Sequence, residues 1–239
     1  MVVVLVTGAA TGLGLATALA LAANGHDVVV HARNPSRIPD RALLDRMHGA
    51  VYGDLANLDE TIAVAEHANE HGRFDAIIHN AGVLNGPNVL AVNTVAPFVL
   101  TAIMRKPRRL IYVSSSMHRS GSTKLRGLAP QTARASYQDS KLYITTLAIA
   151  VANRWADTVS HAVDPGWVPT RMGGPGATDD LDAGHVTQVW LATAEHIDPH
   201  TGGYWYHQNP QRQHPATKDA AFQTELITAL EAHTGIILD

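Results

Sequence analysis

Tyr137 and Lys141 stand four residues apart in the stretch YQDSK, at the head of an otherwise apolar segment. A helix brings positions i and i+4 onto one face, so a phenol and an ammonium would lie side by side. Spacing alone reads first as a surface pair, and chemistry needs support from elsewhere in the chain. Gly8, Gly12 and Gly14 lie in TGAATGLG, between a β-branched run and an alanine-rich helical pattern. Glycines there permit a tight turn and let backbone N–H groups approach a phosphate, and a helix start adds partial positive charge. Their spacing, G-x-x-x-G-x-G, differs from the common G-x-G-x-x-G fingerprint. The second strand pattern ends in VVVHARNPSR, without the acid that NAD-binding folds place about 20 residues after the glycines. Arg33 takes that position, followed by Asn34, Ser36 and Arg37. A guanidinium binds a 2′-phosphate where a carboxylate would repel it. That favours NADP over NAD, although a solvated loop arginine fits the same letters.

The elements that must position these residues alternate along the chain. Strand patterns are expected over 2–7, 27–33, 50–55, 74–82, 108–116, 158–167 and 202–207. Helical patterns cover 15–25, 40–47, 58–72, 88–104, 135–156, 181–194 and 216–233. Pro97 falls inside the fourth of these and is expected to bend it. Alternating strands and helices imply an α/β fold, a doubly wound Rossmann-type parallel sheet of about seven strands with helices on both faces. In such a sheet ligands bind beyond the carboxyl ends of the strands. TGAATG, HAR, NAG, SSS and DPGW each follow a strand pattern there.

The chain has 239 residues, of which 46% are hydrophobic and 16% charged, with a net charge of -3. That suits one domain spanning 1–239 with a sizeable core, and shows no nucleic-acid footprint. Without cysteine, disulfides and thiolate metal sites are excluded. The apolar start MVVVLV breaks too early for a signal peptide or membrane span, so a cytoplasmic protein with no membrane partner is expected.

The ordered set TGAATGLG (7–14), GDL (53–55), HNAG (79–82), VNTVAPFVL (92–100), YVSSS (112–116), YQDSK (137–141) and DPGWVPT (164–170) resembles the short-chain dehydrogenases/reductases over nearly the whole chain. His79 departs from that family's usual double asparagine, with little consequence expected. The resemblance implies an NADP-dependent oxidoreductase moving a hydride between nicotinamide and a carbonyl or alcohol. Tyr137 would be its acid in reduction and base in oxidation. A free phenol has a pKa near ~10, and an adjacent ammonium is expected to lower it. Lys141 would also hold the nicotinamide ribose, and Ser115 would orient the substrate carbonyl. Asn93 would hold a water near the lysine, although a buried asparagine bending the helix near Pro97 reads as well. For the cofactor the resemblance implies Gly8, Thr11, Gly12, Leu13, Gly14, Arg33 and Asn34. It further implies Asp54 and Leu55 beside the adenine, Asn80, Ala81 and Gly82 beside its ribose, and Pro165, Gly166, Val168 and Thr170 at the nicotinamide. Many members are dimers or tetramers joined through their long fourth and fifth helices. A homodimer or homotetramer is therefore expected, though the apolar helix after Lys141 suits a core equally.

The long stretch between Ser115 and Tyr137 carries Arg119, Lys124, Arg126 and Arg134. It is similar to the branch with retinol-type and protochlorophyllide-like reductases; it could meet an acidic substrate or simply be solvated. Residues 171–184 read as a mobile substrate loop, 204–207 as a pocket wall, subunit contact or ordinary strand end, and 208–239 as a C-terminal extension. HANEH (67–71) matches H-x-x-E-H, but lacks a third ligand and reads as a wet helix face, so no metal site is expected. Two rival functions remain: a catalytically silent NADP(H)-binding sensor, against which the complete Ser/Tyr/Lys set counts, and a nucleotide-sugar epimerase or dehydratase, against which the glycine spacing and short tail count.

Overall fold

Runs of β-branched residues build a sheet buried on both faces. The chain is described here from a computed structural model covering residues 1–38, 41–128 and 134–239, apart from the side chains of Arg41 and Arg126. Strands β1 (Val3–Val6), β2 (Asp27–Ala32), β3 (Gly49–Tyr52), β4 (Ala76–His79), β5 (Arg109–Val113), β6 (Val159–Asp164) and β7 (Tyr204–Tyr206) are all parallel. The order is β3-β2-β1-β4-β5-β6-β7-β8, with the reversal falling between β1 and β4. An eighth strand, β8 (Asn209–Pro210), exceeds the expected seven and pairs antiparallel with β7. It is too short to show a period. His207 and Gln208, both at positive φ, turn the chain into it, as two-residue hairpin loops require.

Helices cover both faces. On one lie α1 (Gly12–Ala23), the short α2 (Arg41–Leu44) and α6 (Leu181–Thr193), packed on Val4, Val6, Val28, Val30 and Val163. On the other lie α3 (Leu58–Glu70), α4 (Ala96–Ile103), α5 (Tyr137–Arg154) and α7 (Ala220–Thr234), packed on Leu5, Val29, Ile77, Leu110 and Tyr112. Alternating strand residues therefore feed two cores. The predicted helix 88–104 is interrupted: a π turn spans Ala91–Val95 and α4 follows it. Pro97 lacks the N–H that would bond the Asn93 carbonyl four residues back.

The basic stretch forms 3₁₀ turns at Ser116–Ser120 and Leu125–Leu128, and Arg119, Lys124 and Arg134 are exposed. The Arg126 side chain and residues 129–133 lie outside the described residues. The C-terminal extension closes on α5: Asn153 donates to Gln223 of α7 at 3.2 Å, and Gln223 donates to the Thr217 carbonyl at 2.7 Å. Residues 140–151 of α5 are buried in the chain itself, which supports the core reading of that apolar helix. No helix among the described residues is long and apolar enough to cross a membrane. His67 lies on α3 and His71 just past its end, and no metal-holding cluster occurs among the described residues.

Leu226 on the inner face of α7 is fully buried in the core shared with α5. Leu226→Ala is expected to lower unfolding free energy by about 2–5 kcal/mol, read from the urea midpoint. A loss within experimental error would mean that α7 is not packed as described.

Candidate active site

The pentapeptide YQDSK divides its labour at the start of α5. Ser136 accepts from the Asp139 backbone N–H at 3.0 Å and Asp139 accepts from the Ser136 N–H at 3.3 Å, a capping box that fixes where the helix begins. Ser140 donates to the Tyr137 carbonyl at 2.7 Å. Tyr137 and Lys141 are thereby set on one face, with the Lys141 Nζ 5.4 Å from the Tyr137 ring centre. That ammonium is buried and donates to the Val113 carbonyl, at the end of β5, at 2.7 Å. Burial lowers its pKa to about 8, partly opposed by the Asp164 carboxylate.

Ser115 follows the end of β5; its hydroxyl accepts from the Met117 N–H at 3.3 Å and lies near enough to the Tyr137 phenol to act on it. Its neighbour Ser114 is buried, 2.6 Å from the Thr145 hydroxyl, whereas Ser115 is half-buried. The phenol does not shift downward. Burial raises it to about 12; the Ser115 hydrogen bond opposes this and Asp164 adds to it. The expected lowering by Lys141 is outweighed, because desolvation and a nearby carboxylate both disfavour phenolate.

Asn93 serves as a clamp. Its Oδ1 accepts from the Val83 N–H at 2.8 Å, and its Nδ2 donates to the Val83 carbonyl at 2.9 Å and to the Ser140 hydroxyl at 3.0 Å. Gly82 marks where the segments converge: a methyl group there would come 3.4 Å from Asn93 Oδ1, 3.7 Å from Met172 Cε and 3.8 Å from Lys141 Nζ.

The glycine turn lies across the cleft. Gly8 has φ +66°, and a side chain on it would meet the Ala81 Cα at 2.9 Å. At Gly14 a side chain would run into Asn80 and the Gly8 carbonyl. Thr11 is the N-cap of α1 without using its hydroxyl as a cap, and no acid occupies the first turn, formed from Gly12 and Leu13 onward. The helix start therefore keeps its N–H donors for an outside anion, and the cradle fits a pyrophosphate. Thr7 and Asn80 tie the first and fourth strand ends: the Thr7 hydroxyl accepts from the Asn80 and Ala81 N–H groups at 3.0 Å, and Asn80 Nδ2 donates to the Thr7 carbonyl at 2.9 Å.

Arg33 lies just beyond β2, with its Nε 3.3 Å from an Asp54 oxygen. Asn34 accepts from the Ser36 hydroxyl at 2.7 Å. Leu55 is buried in the core, so its side chain does not face the cleft. From the β6 side, Thr170 packs its methyl near Gly12, Val168 is buried against Gly184, Pro165 is half-buried, and Gly166 takes φ +83°. The loop after Thr170 is fastened: Trp167 donates its ring N–H to the Gly173 carbonyl at 2.9 Å and its backbone N–H to Asp179 at 2.7 Å. Its expected end at 184 overshoots, because α6 begins at Leu181. A cavity of about 360 Å³ opens beside Tyr137, lined by Leu84, Val89, Met117, Ala135 and Gln138 among others.

Three residues escaped the sequence reading. His31 accepts from the Gly8 N–H at 3.2 Å and meets the Gly53 carbonyl at 3.0 Å, linking the glycine turn to β3. His118 meets the Ser115 carbonyl at 2.7 Å and accepts from the His214 N–H at 3.1 Å. Asp164 ends β6 and accepts from the Tyr204 hydroxyl. Their signal was a titratable letter at or just beyond a strand end. In YWYH, Tyr204 and Trp205 are buried, so the pair belongs to the interior.

Comparison with known proteins agrees with this geometry. Residues 2–180 match the family model described as short chain dehydrogenase. The chain belongs to the short-chain dehydrogenases. A short-chain dehydrogenase of Penicillium rubens is 36% identical over 98% of this chain and 98% of its own length. Among solved structures, a protein from Mycobacterium paratuberculosis superposes with TM-score 0.82 at 23% identity, covering 100% of this chain and 95% of that one. An NADPH-bound carbonyl reductase from chicken fatty liver gives TM-score 0.70 at 22% identity, over 88% and 98% of the two chains. In this short-chain dehydrogenase the family's first asparagine is His79, which stacks on Tyr112 at 4.7 Å within the core.

Burial lowers the pKa of His31 and His161 to about 4 and that of His79 to about 3. Each takes up a proton on unfolding once the pH lies below about 6.5. Their contribution to stability is complete above that pH and is lost as pH falls toward 4. Urea midpoints from pH 8 down to 5 should decline below about 6.5, and less so in His31→Gln. A flat profile would show that these rings are not held neutral.

Proposed function

We propose that this short-chain dehydrogenase is an NADP(H)-dependent oxidoreductase interconverting a carbonyl and an alcohol. One observation carries the reading: the Tyr137 phenol, the Ser115 hydroxyl and the buried Lys141 ammonium converge beside a substrate-sized cavity, across from an anion-binding glycine turn. Gly8, Thr11, Gly12, Leu13 and Gly14 would hold the pyrophosphate, Asp54 the adenine side, Asn80 to Gly82 the adjoining ribose, and Pro165, Gly166, Val168 and Thr170 the nicotinamide. Arg33, with Asn34 beside it, would take the 2′-phosphate; Asp54 fixes one edge of its guanidinium and the planar fork offers further donors. The NADPH named with the chicken carbonyl reductase supports the same preference.

The nicotinamide, when bound, supplies a hydride to a carbonyl carbon or accepts one from an alcohol carbon. Tyr137 gives its phenolic proton to the carbonyl oxygen in reduction and takes it back in oxidation. Ser115 holds that oxygen within reach of the phenol. Lys141 stabilises the phenolate formed after transfer and binds the ribose beside it. Asn93 holds Val83 and Ser140, and with them the cleft walls on either side of Lys141. The cavity would offer a carbonyl compound apolar contacts from Leu84, Val89, Met117 and Ala135 and polar ones from Asn85, Ser136 and Gln138.

Self-association is expected of this family, but α7 occupies ground on α5 that a partner subunit could otherwise cover. A dimer formed through that ground would need α7 displaced.

Purified protein should oxidise NADPH with members of a panel of aldehydes, ketones and quinones, followed by loss of reduced-nicotinamide absorbance. Tyr137→Phe should lower kcat by about 10²-fold or more with NADPH binding unchanged. Full activity in Tyr137→Phe would overturn the proton-transfer role. Arg33→Ala should weaken NADPH binding about 10-fold or more and leave NADH binding nearly unchanged, measured by fluorescence titration. Equal effects on both cofactors would remove the 2′-phosphate role.

A further inference from the structure

His118 is a fully buried imidazole in the 3₁₀ turn Ser116–Ser120, directly behind Ser115. It holds the Ser115 carbonyl twice, through its backbone N–H at 3.0 Å and its ring Nδ1 at 2.7 Å. On the other side of the same residue, the Ser115 hydroxyl accepts from the Met117 N–H at 3.3 Å. A hydroxyl engaged as an acceptor still has its proton to give to a substrate oxygen. Rotation of the Ser115 peptide would carry that hydroxyl away from the oxygen, and the two bonds from His118 oppose the rotation.

The far edge of the ring is engaged as well. His118 Nε2 accepts from the His214 N–H at 3.1 Å, 96 positions along the chain. A backbone N–H can only donate, so Nε2 carries no proton and Nδ1 does. The ring is neutral, in one tautomer, with Nδ1–H donating to the Ser115 carbonyl. Burial lowers its pKa, which favours the same neutral form. One ring face rests on Tyr204, 4.5 Å away centre to centre. His214 is itself fastened: its ring accepts from the Ala216 N–H at 3.1 Å and its carbonyl from the Thr217 hydroxyl at 2.7 Å. Next to His118, Arg119 donates to the Arg212 carbonyl at 3.1 Å. Residues 212–217 lie outside the 2–180 stretch that matches the family model, so the brace behind Ser115 is completed by the C-terminal segment of this chain.

We propose that His118 is a positioning residue for Ser115, its Nδ1–H fixing the Ser115 peptide and its Nε2 anchoring that peptide to the C-terminal segment at His214. The inference rests on the substrate-orienting role given to Ser115 above. A carbonyl oxygen must be met within a narrow range of positions, and small displacements of the group that meets it are expensive in rate. The imidazole gives the serine a rigid support that a solvent-facing turn would lack.

Two amides divide the functions of the ring. His118→Asn puts an N–H donor where Nδ1 stands and nothing where Nε2 stands; His118→Gln puts an acceptor where Nε2 stands and nothing where Nδ1 stands. Rates are measured with the aldehyde, ketone or quinone of the panel that the wild type reduces fastest. His118→Gln should lower kcat about 10-fold or more, and His118→Asn should recover most of that loss, with NADPH binding unchanged in both by fluorescence titration. In a Ser115→Ala background, His118→Gln should lower kcat by less than about 2-fold further, because the two residues act as one unit. Nitrogen NMR of ring-labelled wild type, assigned with His118→Gln, should show His118 protonated on Nδ1 alone. Unchanged kcat in His118→Gln would overturn the proposal. Equal losses in the two variants, or a full additional loss in the Ser115→Ala background, would point to packing and overturn it too. A ring protonated on Nε2 would do so without any variant having to fold. No turnover by the wild type, or full activity in Ser115→Ala, would instead fail the reading on which the proposal rests, and the proposal with it.

Discussion

Lys141 carries its ammonium where solvent scarcely reaches, and much of the surrounding architecture follows from that constraint. A buried ammonium needs an acceptor, which the end of β5 supplies through the Val113 carbonyl. The acceptor has value only if α5 starts at a fixed point, so the helix is capped by Ser136 and Asp139. The phenol one turn earlier then has no choice of face. Desolvation lowers the proton affinity of the lysine to about 8 and raises that of the tyrosine to about 12, so the same burial that makes the site dry drives apart two affinities that are nearly equal in water.

The second half of the cleft is held by side chains bonded to backbone groups of neighbouring strand ends. Thr7 and Asn80 join the ends of β1 and β4 at the point where strand order reverses, and His31 joins the glycine turn to β3. A turn built to leave N–H groups for a phosphate cannot stabilise itself with them. Neighbouring strand ends hold it instead. A neutral imidazole suits this task because it accepts on one side and donates on the other.

The alternation of β-branched runs with alanine-rich and amphipathic segments made the sheet and its helices legible from sequence, and the ordered motifs made the family legible. What could not be read were matters of direction. Nothing in YQDSK says whether burial or the neighbouring charge governs the phenol, and burial wins. Nothing in VNTVAP says that the Asn93 side chain faces Val83 and Ser140, because a π turn leaves no periodic mark in so short a window. The basic letters between Ser115 and Tyr137 left an acidic substrate and a solvated loop both open; Arg119, Lys124 and Arg134 are exposed, and Arg119 donates to the Arg212 carbonyl. Asp164, His31 and His118 were visible as polar letters at or beside strand ends, but their partners come from far along the chain.

The π turn before α4 has a geometric consequence. One extra residue in a turn rotates everything after it by about 100° relative to an uninterrupted helix. The segment thus has two orientations. Its first half aims Asn93 across the cleft at Val83 and Ser140, while its second half aims Phe98 and Leu100 into the core. A regular helix could satisfy one of these aims and would leave the other facing the wrong way. The irregular turn acts as a phase adjuster that lets a short segment serve two masters, the polar cleft and the dry interior.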